Sequence, residues 1–518
     1  MKRNDRVVWN KYLAAGCVAG CLAAQANPAA AQVKGTWSAV IPLPNVPVAA
    51  SVLPNGKVLT WSSNNEFTFE GDIGASASQT QTALFDPVTQ QSTLRIVKST
   101  LSDMFCPGIT VLADGRVLVN GGSSSASANL YDPKTDTWSA AASMNIARGY
   151  NADVMLSDGS VLTLGGSWSG APGDRIGEVW SAESGWSTRP GISAAPITGP
   201  DPEDASVGRV YRGDNHMWLF SVSAGLVFHA GPSAQMSWIT TSGNGAMASA
   251  GLRGDDAYSI NGQAVMYDVG KILKTGGGPA YQAVAATANT YVIDINKAVA
   301  DLNNPVVVRK TAPMAYPRVF ANGVALPGGQ VLIVGGQTYA ALFSDDRAVL
   351  VPELWNPATE TFTQLAPMQT PRVYHSTALL LPDARVFVAG GGLCGGGCPA
   401  NHENAEIFSP PYLFNQDGSP AVRPAIKTAP ASALLGSTVS VTADTAKLKF
   451  EVLRISATTH AVNNDQRRIP LVVTASVNTT YRLKVPSDPG VVPPGYYMLF
   501  GINAQGTPSI AKVVKIGW

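Results

Sequence analysis

Ala113-Asp114-Gly115-Arg116-Val117-Leu118-Val119-Asn120-Gly121-Gly122, followed by Tyr131-Asp132-Pro133 and Trp138, is the stretch that decides the fold. An Asp-Gly turn feeds a short β-branched run, Gly-Gly ends it, and an aromatic-Asp-Pro turn separates two further aromatic segments. That order reads as short strands joined by tight turns. The turn and run recur as Pro54-Asn55-Gly56-Lys57-Val58-Leu59, Ser157-Asp158-Gly159-Ser160-Val161-Leu162 and Ala224-Gly225-Leu226-Val227-Phe228. Later copies are Gly270-Lys271-Ile272-Leu273, Gly328-Gly329-Gln330-Val331-Leu332 and Asp383-Ala384-Arg385-Val386-Phe387. The first apolar residues of the seven runs stand at 58, 117, 161, 226, 272, 331 and 386, spaced by 44 to 65 residues. Gly335-Gly336 with Trp355-Asn356-Pro357 and Phe362 repeats the second half of the pattern.

A repeat of about 50 residues in this order is the kelch signature of a four-stranded propeller blade, which buries its faces only by stacking on neighbours. Seven copies close a ring. The repeat stops near Pro410. From about Arg423, runs such as Thr438-Val439-Ser440-Val441, Leu471-Val472-Val473 and Tyr481-Arg482-Leu483-Lys484-Val485 alternate with Pro/Gly/Asp turns, which suits an immunoglobulin-like sandwich. The expected organisation is all-β: a signal peptide over 1–31, a seven-bladed kelch-type β-propeller over 32–422, and an immunoglobulin-like β-sandwich over 423–518.

Composition narrows the function classes. The chain has 518 residues, 45% of them hydrophobic, which excludes general disorder. Charged residues make up 14%, and 36 basic against 35 acidic side chains leave a net charge of +1, an argument against a nucleic-acid groove or polybasic membrane surface. Lys2, Arg3, Arg6 and Lys11 precede an apolar run from Tyr12 to Ala24, with Ala29-Ala30-Ala31 beyond it. This is a secretory signal, too short for a membrane span, and no other segment is long and apolar enough to be one. Val18-Ala19-Gly20-Cys21 also fits lipoprotein processing, with Cys21 as the anchored residue. Either route delivers a secreted or periplasmic protein, expected to be monomeric. Cleavage near Ala31 removes Cys17 and Cys21 and leaves Cys106, Cys394 and Cys398, an odd number for an oxidising compartment.

Phosphate-loop, zinc-protease and Gly-x-Ser-x-Gly elbow motifs are absent, and Gly276-Gly277-Gly278 is a blade turn. Histidine is scarce: His216, His229, His375, His402 and His460. Each taken alone is better read as a hydrogen-bonded structural residue. Tyr374 and His375 are consecutive, so they can share a metal only on irregular backbone, because neighbours on a strand face opposite ways. Two imidazoles with phenolate oxygens suit tetragonal copper(II). Cys106 alone reads as a core thiol, Tyr150 as a turn aromatic and Trp168 as blade packing.

Five motifs taken together change that balance. Asp103-Met104-Phe105-Cys106-Pro107-Gly108, Ala147-Arg148-Gly149-Tyr150, Gly165-Gly166-Ser167-Trp168-Ser169-Gly170, Arg372-Val373-Tyr374-His375-Ser376 and Thr459-His460-Ala461-Val462-Asn463-Asn464-Asp465-Gln466-Arg467-Arg468-Ile469-Pro470 resemble, in order, the galactose oxidase family of copper-radical oxidases. The resemblance runs from about Gly35 to the C-terminus. It implies one copper ion held by Tyr150, Tyr374, His375 and His460, with a further position open to water or substrate. It implies a thioether joining Cys106 to the Tyr150 ring, giving a self-derived radical cofactor shielded by Trp168, and Tyr374 as general base. No flavin or nicotinamide is required. Cys394 and Cys398 match a pair that forms a local disulfide, in a loop one residue longer here.

For substrate contacts the resemblance points to Arg212 and Gln282, with Phe69 and Phe320 as apolar walls; Arg212 has an alternative as an ion-pair partner of Asp214. Gly208 replaces a family glutamine, while Ser102 and Ala321 replace histidines, departures that bear on galactose preference and not on the copper ligands. The sequence leads into the first repeat without the N-terminal carbohydrate-binding domain of the fungal enzyme, so binding to polysaccharide surfaces is not expected. The expected reaction oxidises a primary alcohol, the C6 alcohol of galactose being one candidate, to an aldehyde while dioxygen becomes hydrogen peroxide. A glyoxal- or methylglyoxal-type aldehyde oxidase and a non-catalytic kelch binding module are the alternatives.

Overall fold

The computed structural model describes residues 33–69, 78–171, 173–199 and 212–518. The expected export segment, with Cys17 and Cys21, lies outside them, as does Gly208. Among the described residues no helix is long and apolar enough to cross a membrane.

Seven antiparallel sheets form the blades of the propeller. Six are built from consecutive strands, as in Gly108–Val111, Val117–Asn120, Ala128–Asp132 and Thr137–Ala141. Each of the seven apolar positions read from the sequence falls in the second strand of its blade: Val58–Trp61, Val117–Asn120, Val161–Leu164, Leu226–Gly231, Lys271–Thr275, Val331–Gln337 and Val386–Gly390. The aromatic-Asp/Asn-Pro turn joins the third and fourth strands, where Tyr131 opposes Trp138 and Trp355 opposes Phe362. Its acidic or amide residue caps the turn: Asp132 accepts from the Lys134 N–H at 2.8 Å and Asn356 from the Ala358 N–H at 2.9 Å. The seventh blade is completed from the other end of the chain, with Thr36–Trp37 and Ile41–Pro42 pairing with Asn404–Ser409.

Gly-Gly has a steric reason. The second glycine of Gly121-Gly122, Gly276-Gly277 and Gly335-Gly336 donates its N–H to the carbonyl of Arg148, Arg318 or Arg372 in the next blade, at 2.9, 2.8 and 2.7 Å. A Cβ on the first glycine would meet that carbonyl oxygen at 2.6, 2.6 and 2.3 Å respectively, and each of these glycines has positive φ. The arginines are fully buried and reach a glutamate in the third strand of their own blade: Arg148 to Glu178, Arg318 to Glu353, Arg372 to Glu406. Buried ion pairs of this kind add little net stability, because desolvation of both charges offsets their attraction.

The C-terminal strands form an eight-stranded β-sandwich around Val441, Phe450, Tyr481, Leu483, Tyr497 and Leu499. Its long strand Arg468–Val477 pairs first with Lys449–Arg454 and then with Thr480–Lys484. The short strand Ala457–Thr459 leaves this domain to pair with Ala49–Val52, the innermost strand of the first blade.

Candidate metal centre

Six of the inner strands carry one residue at an equivalent position, just before the strand in most and inside Val319–Ala325 for Phe320. Two residues before the paired positions Gly108, Ala152, Trp218, Gln263, Asn322 and Thr377 stand Cys106, Tyr150, His216, Asn261, Phe320 and His375. All six have left-handed backbone, with φ between 57° and 69°. Non-glycine residues pay about 1–3 kcal/mol for such conformations, which persist where the surroundings over-determine them. The surroundings include hydrogen bonds between neighbouring blades: Tyr150 N–H to Cys106 O at 2.9 Å, His216 N–H to Tyr150 O at 3.0 Å, and Phe320 N–H to Asn261 O at 3.0 Å. In the first blade the strand Ala457–Thr459 lies beside the inner strand and delivers His460, itself at φ 49°.

These side chains converge. The hydroxyls of Tyr150 and Tyr374 share a 2.7 Å hydrogen bond, Tyr374 shares another of 3.0 Å with Tyr281, and Tyr281 meets His216 Nε2 at 3.2 Å. His460 Nε2 lies 3.3 Å from Cys106 Sγ. Tyr374 and His375 stack with ring centroids 3.8 Å apart, and the left-handed His375 is the irregular backbone that lets consecutive residues face one way. Trp168 stacks on Tyr150 at 4.9 Å and 22°, with Phe105 edge-on to Trp168 and His375. The Trp168 loop is held by buried Asp214, whose carboxylate accepts from the Ser167 N–H at 2.9 Å and from its hydroxyl.

The donors suit a cation. His375 Nδ1 is committed to Gly392 O at 2.6 Å, which leaves a buried Nε2 with no hydrogen-bond partner. His460 Nδ1 is likewise occupied by Thr459 Oγ1 at 2.8 Å. Burial lowers His375 to about 3 and His460 well below its ordinary value, so both imidazoles are neutral lone-pair donors. Burial pushes Tyr150 and Tyr374 well above the usual phenol range, a cost that an adjacent cation reverses. Two neutral imidazoles and two phenol oxygens are a donor set for tetragonal copper(II). Cys106 Sγ lies within 4.8 Å of ligand nitrogens of both histidines, so a Cys-His-His set is also sterically open. The thiol is fully buried and raised well above its usual pKa by desolvation, partly offset by a hydrogen bond with Tyr150.

Phe69 stacks on Phe105 at 5.0 Å and on Phe343 at 5.6 Å, and Phe320 lies edge-on to Tyr374 at 5.1 Å. Gln282 follows buried Tyr281 and is half-buried; the Arg212 side chain lies outside the description. Cys394 and Cys398 form a disulfide. Four residues of the cluster had no role in the sequence reading: His216, Tyr281, Phe105 and Phe343. For His216 a signal existed, its position two residues before an inner strand, level with Cys106 and Tyr150.

Residues 423–516 match the family described as galactose oxidase-like, early set domain, and residues 262–395 match the glyoxal oxidase N-terminus. A galactose oxidase from Gibberella zeae is 42% identical over 491 residues, covering 93% of this chain and 70% of the fungal one. An aldehyde oxidase GLOX from Vitis pseudoreticulata is 30% identical over 233 residues, 41% of this chain and 44% of the plant one. Among solved structures, one described as a novel fungal alcohol oxidase with catalytic diversity among the AA5 family, in complex with copper, superposes with a TM-score of 0.87 at 38% identity, covering 94% of this chain and all of that one.

Proposed function

Because the chain belongs to the galactose oxidase family of copper-radical oxidases, we propose that it oxidises a primary alcohol to an aldehyde at the centre between Tyr150, Tyr374, His375 and His460, with dioxygen leaving as hydrogen peroxide. One molecule of alcohol loses two electrons and two protons, and one of dioxygen gains them. Residues 1–31 are read as an export signal, 32–422 as the catalytic propeller and 423–518 as the domain that supplies His460.

Copper, when bound by those four residues, supplies a one-electron couple and a positive charge for the alcohol oxygen. Tyr374 Oη accepts the alcohol proton as general base, and Tyr281, 3.0 Å away, orients that oxygen. Tyr150 serves as the second one-electron site: its one-electron-oxidised phenoxyl form, restored in each turnover by dioxygen, takes a hydrogen atom from the alcohol carbon and becomes the phenol. We assign Cys106 Sγ to a carbon–sulfur bond with the Tyr150 ring rather than to the metal. Its formation removes the thiol hydrogen and one ring hydrogen, and those two electrons and two protons reduce dioxygen to peroxide. The bond is favoured by the adjacency of the two side chains and the backbone hydrogen bond between their residues. Trp168 covers the Tyr150 ring and keeps water from it.

The observation that carries this reading is the convergence of two hydroxyls, the partnerless His375 Nε2 and the His460 Nε2 beside a buried thiol. The test is intact mass of copper-loaded protein together with peroxide release on a panel of alcohols and aldehydes. After reduction of the Cys394–Cys398 disulfide, the expected chain is still two hydrogens lighter than its sequence, and it releases peroxide from primary alcohols; Cys106→Ser and Tyr150→Phe abolish both. Full activity without the cross-link overturns the mechanism. The glyoxal oxidase match over 262–395 favours a second reading, oxidation of hydrated aldehydes, which turnover of aldehydes alone would establish.

A further inference from the structure

The loop from Gly391 to His402 lies outside the donor set yet bonds to His375 and to the segments that carry Phe69 and Phe343. From its start, Gly392 O anchors His375 Nδ1 at 2.6 Å, and the Gly392 N–H donates to Tyr374 O at 3.0 Å. Its tip, closed by the Cys394–Cys398 disulfide, carries Gly395, whose N–H donates to Phe67 O at 2.9 Å; Thr68 bridges to Cys394. Its end supplies Asn401, whose carbonyl takes the N–H groups of Leu393 and Cys394 at 2.7 and 2.9 Å. The same side chain's amide donates to Phe67 O and Gly395 O at 3.0 and 2.7 Å. His402 Nε2 meets both carboxylate oxygens of Asp345 at 3.0 Å. Phe67–Thr68 leads directly into Phe69, and Asp345 follows Phe343 by two residues. Those two phenylalanines stack on each other at 5.6 Å, and Phe343 lies edge-on to Tyr374 and His375 at 5.3 and 5.6 Å.

We infer that this disulfide-clipped loop is a latch that sets substrate fit, with Asn401 and His402 as positioning residues for the Phe69 and Phe343 walls. The inference rests on the oxidase reading above and goes beyond it by separating the wall from the metal ligands. His375 is reached through Gly392 O, which precedes the clip. The clip and the residues after it instead fasten the lead-in to Phe69 and, through His402 and Asp345, brace the Phe343 segment that Gln337 Nε2 also holds at Ser344 O and Asp346 O. Cutting the clip therefore frees the walls first. Ligand-binding segments are drawn from the low-stability end of a structure, and loss of ground-state binding alone shows as a raised KM with kcat kept. The clip is open to reductant, since Gly396 and Gly397 are exposed and both sulfur-bearing residues are part-exposed. A phosphine would cleave the S–S bond to two thiols, becoming phosphine oxide with an oxygen from water.

The experiment compares copper-loaded wild type, Asn401→Ala and the double variant Cys394→Ser/Cys398→Ser. Three readouts are taken: the KM-against-kcat split on a compact and a bulky primary alcohol, copper stoichiometry, and amide hydrogen exchange at 66–69 and 343–347. The expected result is KM raised about tenfold, kcat within about threefold, copper still one per chain, and faster exchange in both segments. Asn401→Gln, which keeps the amide but not its reach, should not rescue. Unchanged KM and exchange overturn the latch, and so does loss of copper in step with KM, because the loop would then act through His375. If the variants do not fold, wild type reduced with the phosphine and alkylated at 394 and 398 gives the same exchange readout. Wild type without oxidase activity would sink the functional reading, and the exchange comparison would still decide the latch.

Discussion

Tyr281 shows how much one hydroxyl carries. It joins His216 Nε2 at 3.2 Å to Tyr374 Oη at 3.0 Å, and Tyr374 in turn meets Tyr150 at 2.7 Å. His216 also lies 4.5 Å from the Tyr150 ring and 5.0 Å from His460, so the imidazole and the phenol fix each other beside the donors. Tyr281→Phe removes the hydroxyl and keeps the ring. A buried partner left unsatisfied costs about 1–3 kcal/mol, so kcat should fall about tenfold while metal analysis still finds one copper per chain. Copper loss in this variant would make Tyr281 a structural support of the ligands instead. Cys106, Tyr150, Trp168, Tyr374, His375 and His460 were legible because each sits in a long motif. Tyr281 was not, because a lone aromatic in a β-rich chain is indistinguishable from core until its neighbours from other blades are known, and His216 offered only its position two residues before an inner strand.

At the scale of the element, the same glycine pair that made the repeat readable also sets the height of the site. Gly336 N–H holds Arg372 O, and Arg372 lies two residues before Tyr374. A Cβ on Gly335, at φ +73°, would stand 2.3 Å from that carbonyl, so Gly335→Ala must push the Arg372-Val373-Tyr374-His375 segment away. Gly225 is the control, with φ +71° and nothing within 4 Å of an added Cβ. Gly225→Ala should cost about 1 kcal/mol of backbone strain alone. Gly335→Ala should lower the Tm by clearly more and reduce copper occupancy as well, read by thermal unfolding and metal analysis. Equal effects of the two would mean that the carbonyl contact positions nothing. The second strands were legible from local pattern. The strand Ala457–Thr459 was not, since it is three residues long and its partner Ala49–Val52 lies some 400 positions earlier. Closure of the last blade by Thr36–Trp37 and Ile41–Pro42 was hidden for the same reason: pairing at such separation leaves no periodic trace.

Across the whole molecule, the run from Asn464 to Arg467 ties the C-terminal domain to several blades at once. Asn464 Nδ2 donates to Asp153 O and Met217 O, Gln466 spans Ala325 N–H and Gly323 O, and Arg467 reaches Ser221 O. Asp465 accepts from Thr110 Oγ1 at 2.5 Å, Val111 N–H and Met155 N–H. Beside it lies Asp153, 2% exposed, raised to about 7 by desolvation, with Asp465 adding to the rise and hydrogen bonds from Thr163, Asn120 and Asn151 opposing it. Because the folded value lies above the ordinary carboxyl value, the native state binds more protons than the unfolded chain between about pH 4 and 7, and stability falls as pH rises through that window. Asp214, raised to about 6, adds the same sign, while His229 and His375, lowered to about 3, add the opposite one below their ordinary value. The wild-type profile is therefore a balance, and the difference between two proteins isolates Asp153. Asp153→Asn mimics the protonated acid and removes the titration. Its Tm relative to wild type should rise steadily from pH 4 to pH 8, because only wild type must hold a buried carboxylate at the upper end. A difference that stays flat across the range would show that Asp153 is already ionised at pH 4, stabilised by the amide and hydroxyl donors around it.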